Sequence, residues 1–271
     1  MNEAPPSRCR HNTGPISRRP IARAVSAAVV AGSLSAPAFS QSLEEVIVTA
    51  TKRATSVQDV PLAITALSGE FVNKVNLTDV KDLVAFSPGV SGNSQDSFID
   101  TIAVRGIRTQ DFGLGLDPSA AFFKNDLYEG RHGVAVSTMY DLERAEVLRG
   151  PQGFLFGRNS IAGAFSVHTR RAEPGSNDGY IQVEAGERDI FGTEGAINIP
   201  IGDSFAARLS GFYSKEDGFV DNKAGGDDLI EHDNYGFRLS TTFETDKLGI
   251  YAFAEYEDRD ESGSVYRPVQ E

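Results

Sequence analysis

The sequence is short of the residues that build disulfide frameworks, nucleic-acid sites and membrane-spanning helices. One cysteine, Cys9, is present among 271 residues, which excludes a disulfide framework. Acidic residues outnumber basic ones by 38 to 26 and the formal net charge is −12. Nucleic acid is therefore not an expected partner, because phosphate binding depends on Lys and Arg. Outside the N-terminus no run of roughly 18 apolar residues occurs, so a membrane crossing would require strands without free edges.

Complete catalytic and cofactor motifs are also lacking. Residues 153–158 do not end in the Gly-Lys-Ser/Thr of a P-loop, and residues 113–118 lack the third glycine of a dinucleotide motif. No serine lies in a G-x-S-x-G elbow. Three isolated histidines are expected to be structural or solvated rather than metal ligands: His132, His168 and His232. We therefore expect a protein that is not an enzyme and holds no metal or cofactor.

Residues 1–40 have the pattern of a secretory signal. A basic region with Arg18, Arg19 and Arg23 leads into an apolar stretch of small residues that is too short to span a membrane. Small residues at the −3 and −1 positions favour cleavage after Ser40, with Ala38 as the alternative. This pattern predicts export, and Cys9 would be removed with the signal.

The stretch 141–171 carries the densest local signals in the chain. Its sequence is DLERAEVLRGPQGFLFGRNSIAGAFSVHTRR. Residues 141–144 predict a polar turn, and residues 145–149 alternate as a half-buried strand does. Pro151 lacks the N–H that a continuing strand would need, and the glycines beside it tolerate positive φ. A second strand is predicted over 162–169.

This stretch resembles the plug motif of TonB-dependent outer-membrane receptors. The departures from the family pattern are Phe154, Phe156 and Phe165-Ser166. Two further runs are similar to family motifs, IAVRGIR at 102–108 and AAFFKNDLY at 120–128. Upstream, the pattern predicts a strand over 60–67, a helix capped by Ser68, and a second short helix capped by Asn76 or Thr78.

Residues 44–50 form a β-branched run, EEVIVTA, that favours an extended conformation. A short free strand near a terminus can add to the open edge of a partner's sheet. The alternative is an ordinary first strand of the domain. The segment resembles the TonB box of the family, which implies docking of a TonB-like periplasmic energy transducer on Glu44, Glu45, Val46, Ile47, Val48, Thr49 and Ala50.

After residue 174 the pattern changes to alternating strands of about ten residues, a length that lets a tilted strand cross a bilayer. Candidate strands cover 179–186, 189–199, 205–215, 233–244 and 247–258. Alternation alone fits a soluble β-sandwich equally well, and the preceding plug motif favours membrane strands. Five strands cannot close around a plug, since such a barrel needs on the order of twenty. The sequence therefore predicts an incomplete barrel, and we expect a truncated receptor.

The expected fold is an α+β plug domain followed by antiparallel transmembrane β-barrel strands. The predicted divisions are a signal peptide at 1–40, a TonB box and linker at 41–57, a plug domain at 58–174, and the first barrel strands at 175–271. The location expected from the resemblance is the cell outer membrane.

Further site residues follow from the resemblance. It implies that Arg105 and Arg149, with Glu146, mediate plug–barrel contact, since plug arginines of the family pair with wall glutamates. The alternatives are surface arginines, or a local network of Glu143, Arg144 and Glu146. Ligand contact is expected in the loops 93–97 and 108–117, at Asn93, Ser94, Gln95, Arg108, Gln110 and Asp111.

The predicted function is TonB-dependent uptake of a scarce ligand, in this family most often a ferric siderophore. Expected partners are the TonB-like transducer, outer-membrane lipids and the ligand. One alternative is a truncated or decayed receptor that does not transport. The other is a soluble periplasmic binding or signalling module, which osmotic shock would release.

Overall fold

Two five-stranded sheets form most of the computed structural model. The structure describes residues 47–49, 55–92, 102–109, 117–130, 138–223, 225 and 228–262, all within the unit Glu45–Glu271. In this part of the chain no helix combines the length and the apolar character needed to cross a membrane.

The described strands and helices are short before residue 142 and long after residue 190. The strands are β1 (Ile47–Val48), β2 (Thr55–Ser56), β3 (Ile64–Ser68), β4 (Val90–Ser91), β5 (Ala103–Val104), β6 (Ala120–Lys124), β7 (Leu127–Glu129), β8 (Leu142–Arg149), β9 (Gly163–Thr169), β10 (Gly179–Ala185), β11 (Phe191–Ile201), β12 (Phe205–Glu216), β13 (His232–Thr245) and β14 (Leu248–Glu261). The helices are α1 (Gly69–Lys74) and α2 (Gly153–Phe156), with 3-10 turns at Val57–Asp59 and Val80–Val84.

The first sheet, here called the N-terminal sheet, has the order β3-β8-β9-β6-β7. Its pairs are antiparallel except for β6 and β9, which run parallel. Because successive side chains of a strand point to opposite faces of the sheet, alternate residues of β8 enter two different cores. Val147 packs with Val72, Leu83 and Phe165 on one face, and Leu148 packs in a second cluster on the other face.

Local chemistry explains most of the boundaries in this region. Ser68 caps α1 by accepting a hydrogen bond from the Phe71 N–H, as predicted. The prediction for the next turn was wrong: Asp79, rather than Asn76 or Thr78, is its N-cap, because Asp79 and Asp82 form a reciprocal capping box.

Two further features fix the geometry around β6 and β8. The 120–128 run is a β6–β7 hairpin, whose turn residues Asn125 and Asp126 both have positive φ. Strand β8 begins at Leu142, so only Asp141 of the predicted polar turn 141–144 lies before the strand. The reason is that Leu142 is buried and pairs with Thr169, while a bulge after it leaves Glu143 outside the core.

The second sheet, here called the meander, contains β10 to β14 in sequence order, and every pair is antiparallel. All five predicted strands are confirmed, each shifted by a few residues at most. The connections alternate in length. Residues 202–204 and 246–247 form short turns, whereas the longer stretch 217–231 separates β12 from β13. Membrane barrels place short turns on the periplasmic side and longer loops outside.

One face of the meander is exposed and apolar, whereas the other is covered and polar. Exposed apolar side chains are Ile181, Val183, Ile197, Ile199, Leu209, Phe237, Leu239 and Ile250. Buried polar side chains are Asn198, Arg208, Ser210, Asn234, Arg238 and Ser240. A water-soluble sandwich would bury the apolar face, so this polarity matches strands that face lipid on one side.

Candidate functional site

The polar face of the meander is joined to the N-terminal sheet through Asp141. This carboxylate is 1% exposed and accepts two hydrogen bonds from Arg208 of β12, at 2.8 Å from Nε and 2.7 Å from Nη2. The Asp141 N–H donates to Glu194 of β11 at 2.9 Å. A bidentate, charge-assisted pair fixes both distance and orientation, so Asp141 sets where the N-terminal sheet meets the meander.

A second arginine of the meander, Arg238 of β13, is completely buried beside this pair. Its guanidinium lies 4.3 Å from the centre of the Tyr140 ring, and its Nη2 donates to the Tyr140 carbonyl at 3.0 Å. Nη2 is also 3.7 Å from the Asp141 carboxylate. The described residues offer Nε and Nη1 no hydrogen-bond partner, although Nη1 is 3.8 Å from Glu255 Oε1. Arg238 therefore depends on the ring and on the carboxylates of Asp141 and Glu255 for its stabilisation.

Strand β14 supplies carboxylates to the same contact. Glu255 accepts from Lys124 at 2.5 Å and from the Tyr140 hydroxyl at 3.1 Å, and Glu257 accepts from Thr138 N and Oγ1 at 3.1 and 2.9 Å. Burial raises the pKa of Tyr140, and the nearby Glu255 carboxylate adds to the effect. The phenol therefore stays protonated and donates to Glu255.

The predicted plug–barrel residues do not make this contact in the described part of the chain. Arg149 donates to the carbonyls of Pro88 and Ile64, at 2.8 and 3.3 Å. Arg105 and Glu146 form no hydrogen bond or ion pair with the described strands of the meander. Arg149 ends β8 near these carbonyls, and Glu146 points to the face of the sheet that receives residues 47–49.

The alternative prediction, a local network of Glu143, Arg144 and Glu146, is confirmed. Arg144 pairs with Glu143 and donates from Nε to Glu146 at 2.8 Å. The contact with the meander has both charge arrangements. Asp141 provides a carboxylate on the N-terminal side to arginines of the strands, whereas Lys124 on the N-terminal side pairs with Glu255 of β14.

The predicted partner-binding segment is described at Ile47, Val48 and Thr49. The expectation of a free strand differs from the structure, because β1 pairs with β2. Val48 is fully buried and Thr49 N donates to Glu146 at 2.9 Å. The remaining predicted members, Glu44, Glu45, Val46 and Ala50, lie outside the described residues.

Most of the predicted ligand-contact residues are not described. Asn93, Ser94, Gln95, Gln110 and Asp111 lie outside the described residues, and Arg108 is described as exposed. These ligand contacts therefore remain predictions.

A cavity of about 340 Å³ lies between the N-terminal region and the meander. Lining residues include Asp79, Thr138, Glu184, Asn234, Arg259 and Glu261. Burial raises the pKa of Asp79 from 3.8 to about 7, and the nearby Asp82 carboxylate adds to this shift. Asp79 therefore carries a proton in the folded chain at pH values where the unfolded chain has lost it.

The raised pKa of Asp79 predicts a loss of stability as the pH rises from about 4 to about 7. Below pH 4 both states hold the proton, and between the two pKa values only the folded state does. The free energy of unfolding therefore falls by at most about 1.4 kcal/mol per pH unit from this group. Urea unfolding across this range measures the slope. Asp79→Asn preserves a good N-cap and should flatten the profile, whereas an unchanged slope contradicts the assignment.

Sequence reasoning missed Tyr140, Asp141, Arg208 and Glu255 as contact residues. A signal was available for the strands, since the alternation that predicts exposed apolar faces also assigns Arg238 to the covered face. No local signal identifies Asp141, because its partner in β12 is 67 residues away.

Part of the chain matches a known domain family, and the chain is similar to known proteins. Residues 56–164 match the family model "TonB-dependent Receptor Plug Domain". The chain is 24% identical to the ferripyoverdine receptor of Pseudomonas aeruginosa over 80% of this chain and 26% of that protein. It is 28% identical to the ferrichrome outer membrane transporter/phage receptor of Escherichia coli over 54% of this chain and 19% of that protein.

The fold also resembles a solved receptor. The ferric yersiniabactin uptake receptor of Yersinia pestis superimposes with a TM-score of 0.63 at 22% identity, over 72% of this chain and 31% of that one. The chain thus spans between about a fifth and a third of the length of these relatives. Through the plug model matched by residues 56–164, its sequence relatives and the shared fold, the chain is thus similar to TonB-dependent receptors of the outer membrane.

Proposed function

We propose that the chain acts in the TonB-dependent uptake of a ferric siderophore across the outer membrane. In this proposal residues 58–174 form the plug and residues 175–271 contribute wall strands, whose apolar face contacts membrane lipid. Residues 1–40 are a signal that is removed on export, and the segment 44–50 is captured by a TonB-like periplasmic energy transducer.

The observation that carries the proposal is the polarity of the meander. Its apolar side chains are exposed on one face, while Arg208 and Arg238 on the other face hold the N-terminal sheet through Asp141. A wall between lipid and a polar plug needs this arrangement. The printed names of the relatives, receptors for ferripyoverdine and ferrichrome, support a ferric siderophore as the cargo.

The position of residues 47–49 supports a route by which a pull from the partner reaches the N-terminal sheet. The segment precedes the N-terminal sheet and forms a short strand. Strand addition to a partner's sheet uses main-chain hydrogen bonds and tolerates many side chains. A pull on this segment would be transmitted to β8 through Thr49 and Glu146, and β8 follows directly from the anchored Asp141.

A proline at Ile47 tests this function. Ile47 is half exposed, so Ile47→Pro leaves the core intact while removing one main-chain donor. Loss of that bond and of the extended geometry costs about 1.4 kcal/mol or more, which corresponds to about tenfold weaker capture. Energy-dependent uptake of radioactive ferric siderophore by iron-limited cells should fall accordingly, while binding of the siderophore at the cell surface is retained.

Ile47→Val is the matched control, because it keeps the N–H and the β-branched side chain. It should support the parent rate of uptake. Equal uptake by the proline and valine variants would show that this segment does not drive transport.

A further inference from the structure

The cavity of about 340 Å³ between the N-terminal region and the meander is lined by a buried acceptor that has no donor. Asn234 of β13 lines this cavity and is 5% exposed. Its Nδ2 donates to Glu261 Oε1 at 3.1 Å, whereas its Oδ1 has no hydrogen-bond partner among the described residues. Because an ionised carboxylate only accepts, Glu261 fixes the orientation of the amide. A buried acceptor is unfavourable until a donor reaches it, so Oδ1 is suited to a ligand that donates.

Asn234 belongs to a row of residues, here called the polar row, that crosses all five strands of the meander. Successive register partners are Glu184, Gly192, Ser214, Asn234 and Arg259, and each of them lines the cavity. Directly opposite residues of an antiparallel sheet point to the same face. With strands about 4.8 Å apart, Glu184 and Asn234 are separated by roughly 14 Å. One wall of the cavity is therefore an elongated strip, in which Gly192 leaves room beside Glu184.

The two ends of the polar row differ in how their charges are balanced. Glu184 accepts from the Asn76 side-chain amide at 3.0 and 3.1 Å and forms no ion pair within the described ranges. At the other end the guanidinium of Arg259 is paired with Glu257 at 3.1 Å and with Glu261. The positive charge beside Asn234 is thus already neutralised, whereas the negative charge of Glu184 is not.

The lining of the cavity favours a cation that is organic rather than a metal ion. Lining residues with a carboxyl group outnumber Lys and Arg by six to two; they are Asp79, Glu184, Glu194, Glu216, Glu231 and Glu261. In the described part of the chain no three His, Cys, Asp or Glu side chains are grouped to hold a metal ion. An ammonium group donates three hydrogen bonds, and Leu77 and Met139 of the N-terminal region give the same cavity apolar surface for methylene groups.

We propose that the cavity is a binding site for a linear polyamine, with one ammonium group on Asn234 Oδ1 and another beside Glu184. Charged nitrogens joined by short methylene chains match an elongated strip with acceptors at both ends. The volume of about 340 Å³ lies within the range of about 300–1,000 Å³ that is usual for small-molecule sites. This site does not depend on the proposed uptake of a siderophore.

Titration calorimetry with spermidine tests the site on the full chain in detergent, at about 0.15 M salt to screen exposed charges. The parent should bind spermidine saturably, with one molecule per chain. Asn234→Leu keeps a similar side-chain volume but removes the acceptor. It should bind spermidine roughly tenfold more weakly or worse, because a hydrogen bond to a charged donor is lost.

A second variant tests the strip without touching Asn234. A Cβ added at Gly192 would lie 3.5 Å from Glu184 Cβ, which is an ordinary contact, and valine suits a strand. Gly192→Val should therefore leave the meander folded, occupy the space beside Glu184 and weaken spermidine binding.

Glu184→Gln and Glu244→Gln form a matched pair, because each removes one negative charge from the meander. Glu244 is exposed at the other end of β13 and does not line the cavity. Only Glu184→Gln should weaken the binding of spermidine.

Four results would overturn the polyamine site. The first is no saturable binding by the parent, and the second is unchanged binding in both Asn234→Leu and Gly192→Val. The third is equal weakening in Glu184→Gln and Glu244→Gln, which would show general attraction to an acidic protein. The fourth is displacement of spermidine by an equal concentration of Ca²⁺, which would identify a divalent-cation site instead.

Discussion

Replacing Asp141 with alanine is expected to lower the free energy of unfolding by about 3–5 kcal/mol. The change leaves Arg208 and Arg238 buried without their shared carboxylate, since both are almost completely inaccessible. Arg208 keeps the half-exposed Asp178 at 3.2 Å and Arg238 keeps Glu255 at 3.8 Å, but both lose their most buried carboxylate. Removing one partner of a buried ion pair therefore has a large effect. Chemical denaturation of the chain in detergent, followed by tyrosine fluorescence, measures the loss.

The structure offers a matched control for this prediction. Asp117 also pairs with an arginine, Arg158, at 3.0 Å, but their side chains are 57% and 70% exposed. A surface pair of this kind contributes about 0–1 kcal/mol, so Asp117→Ala should have little effect. Similar losses in the two variants would mean that Asp141 does not anchor the N-terminal sheet to the meander.

The second large effect is expected for Phe165→Ala, at about 3–5 kcal/mol. Phe165 is 1% exposed in the core beside α1. Its ring stacks on Phe122 of the parallel neighbour β6, with centroids 5.1 Å apart and planes at 14°. Truncation removes the stacked pair and leaves a cavity in the centre of the sheet. The same unfolding experiment measures this change.

Phe154→Ala is the corresponding control. Phe154 lies in α2 and is fully exposed, so its truncation should change the free energy of unfolding by less than about 0.5 kcal/mol. Both phenylalanines depart from the family pattern in the sequence. Equal effects at the two positions would contradict the packing described for β6 and β9.

The interface around Asp141 shows why the charges of this region could not be assigned from the sequence. The expectation relied on Arg105 and Arg149, which sit beside glycines at the ends of predicted strands. In the structure Arg149 donates hydrogen bonds to backbone carbonyls of its own domain. The contact with the meander instead uses a carboxylate at a one-residue turn, and its position depends on where β8 begins.

Periodicity was a reliable guide to the strands. The five strands of the meander were predicted close to their observed bounds, because side-chain alternation is a local property. The caps were less secure. Ser68 was predicted correctly, but Asp79 was not, since three nearby polar residues were all plausible caps and a reciprocal bond with Asp82 decided between them.

The order of neighbouring residues was enough to specify the strands of the meander, the helix cap at Ser68 and the resemblance to a receptor family, since each depends on residues close together in the sequence. It was not enough to specify that Thr49 binds Glu146 or that Asp141 binds Arg208. These pairs are 97 and 67 residues apart. Their energies depend on burial that exists only once both sheets have formed, so the folded chain alone determines which charges meet.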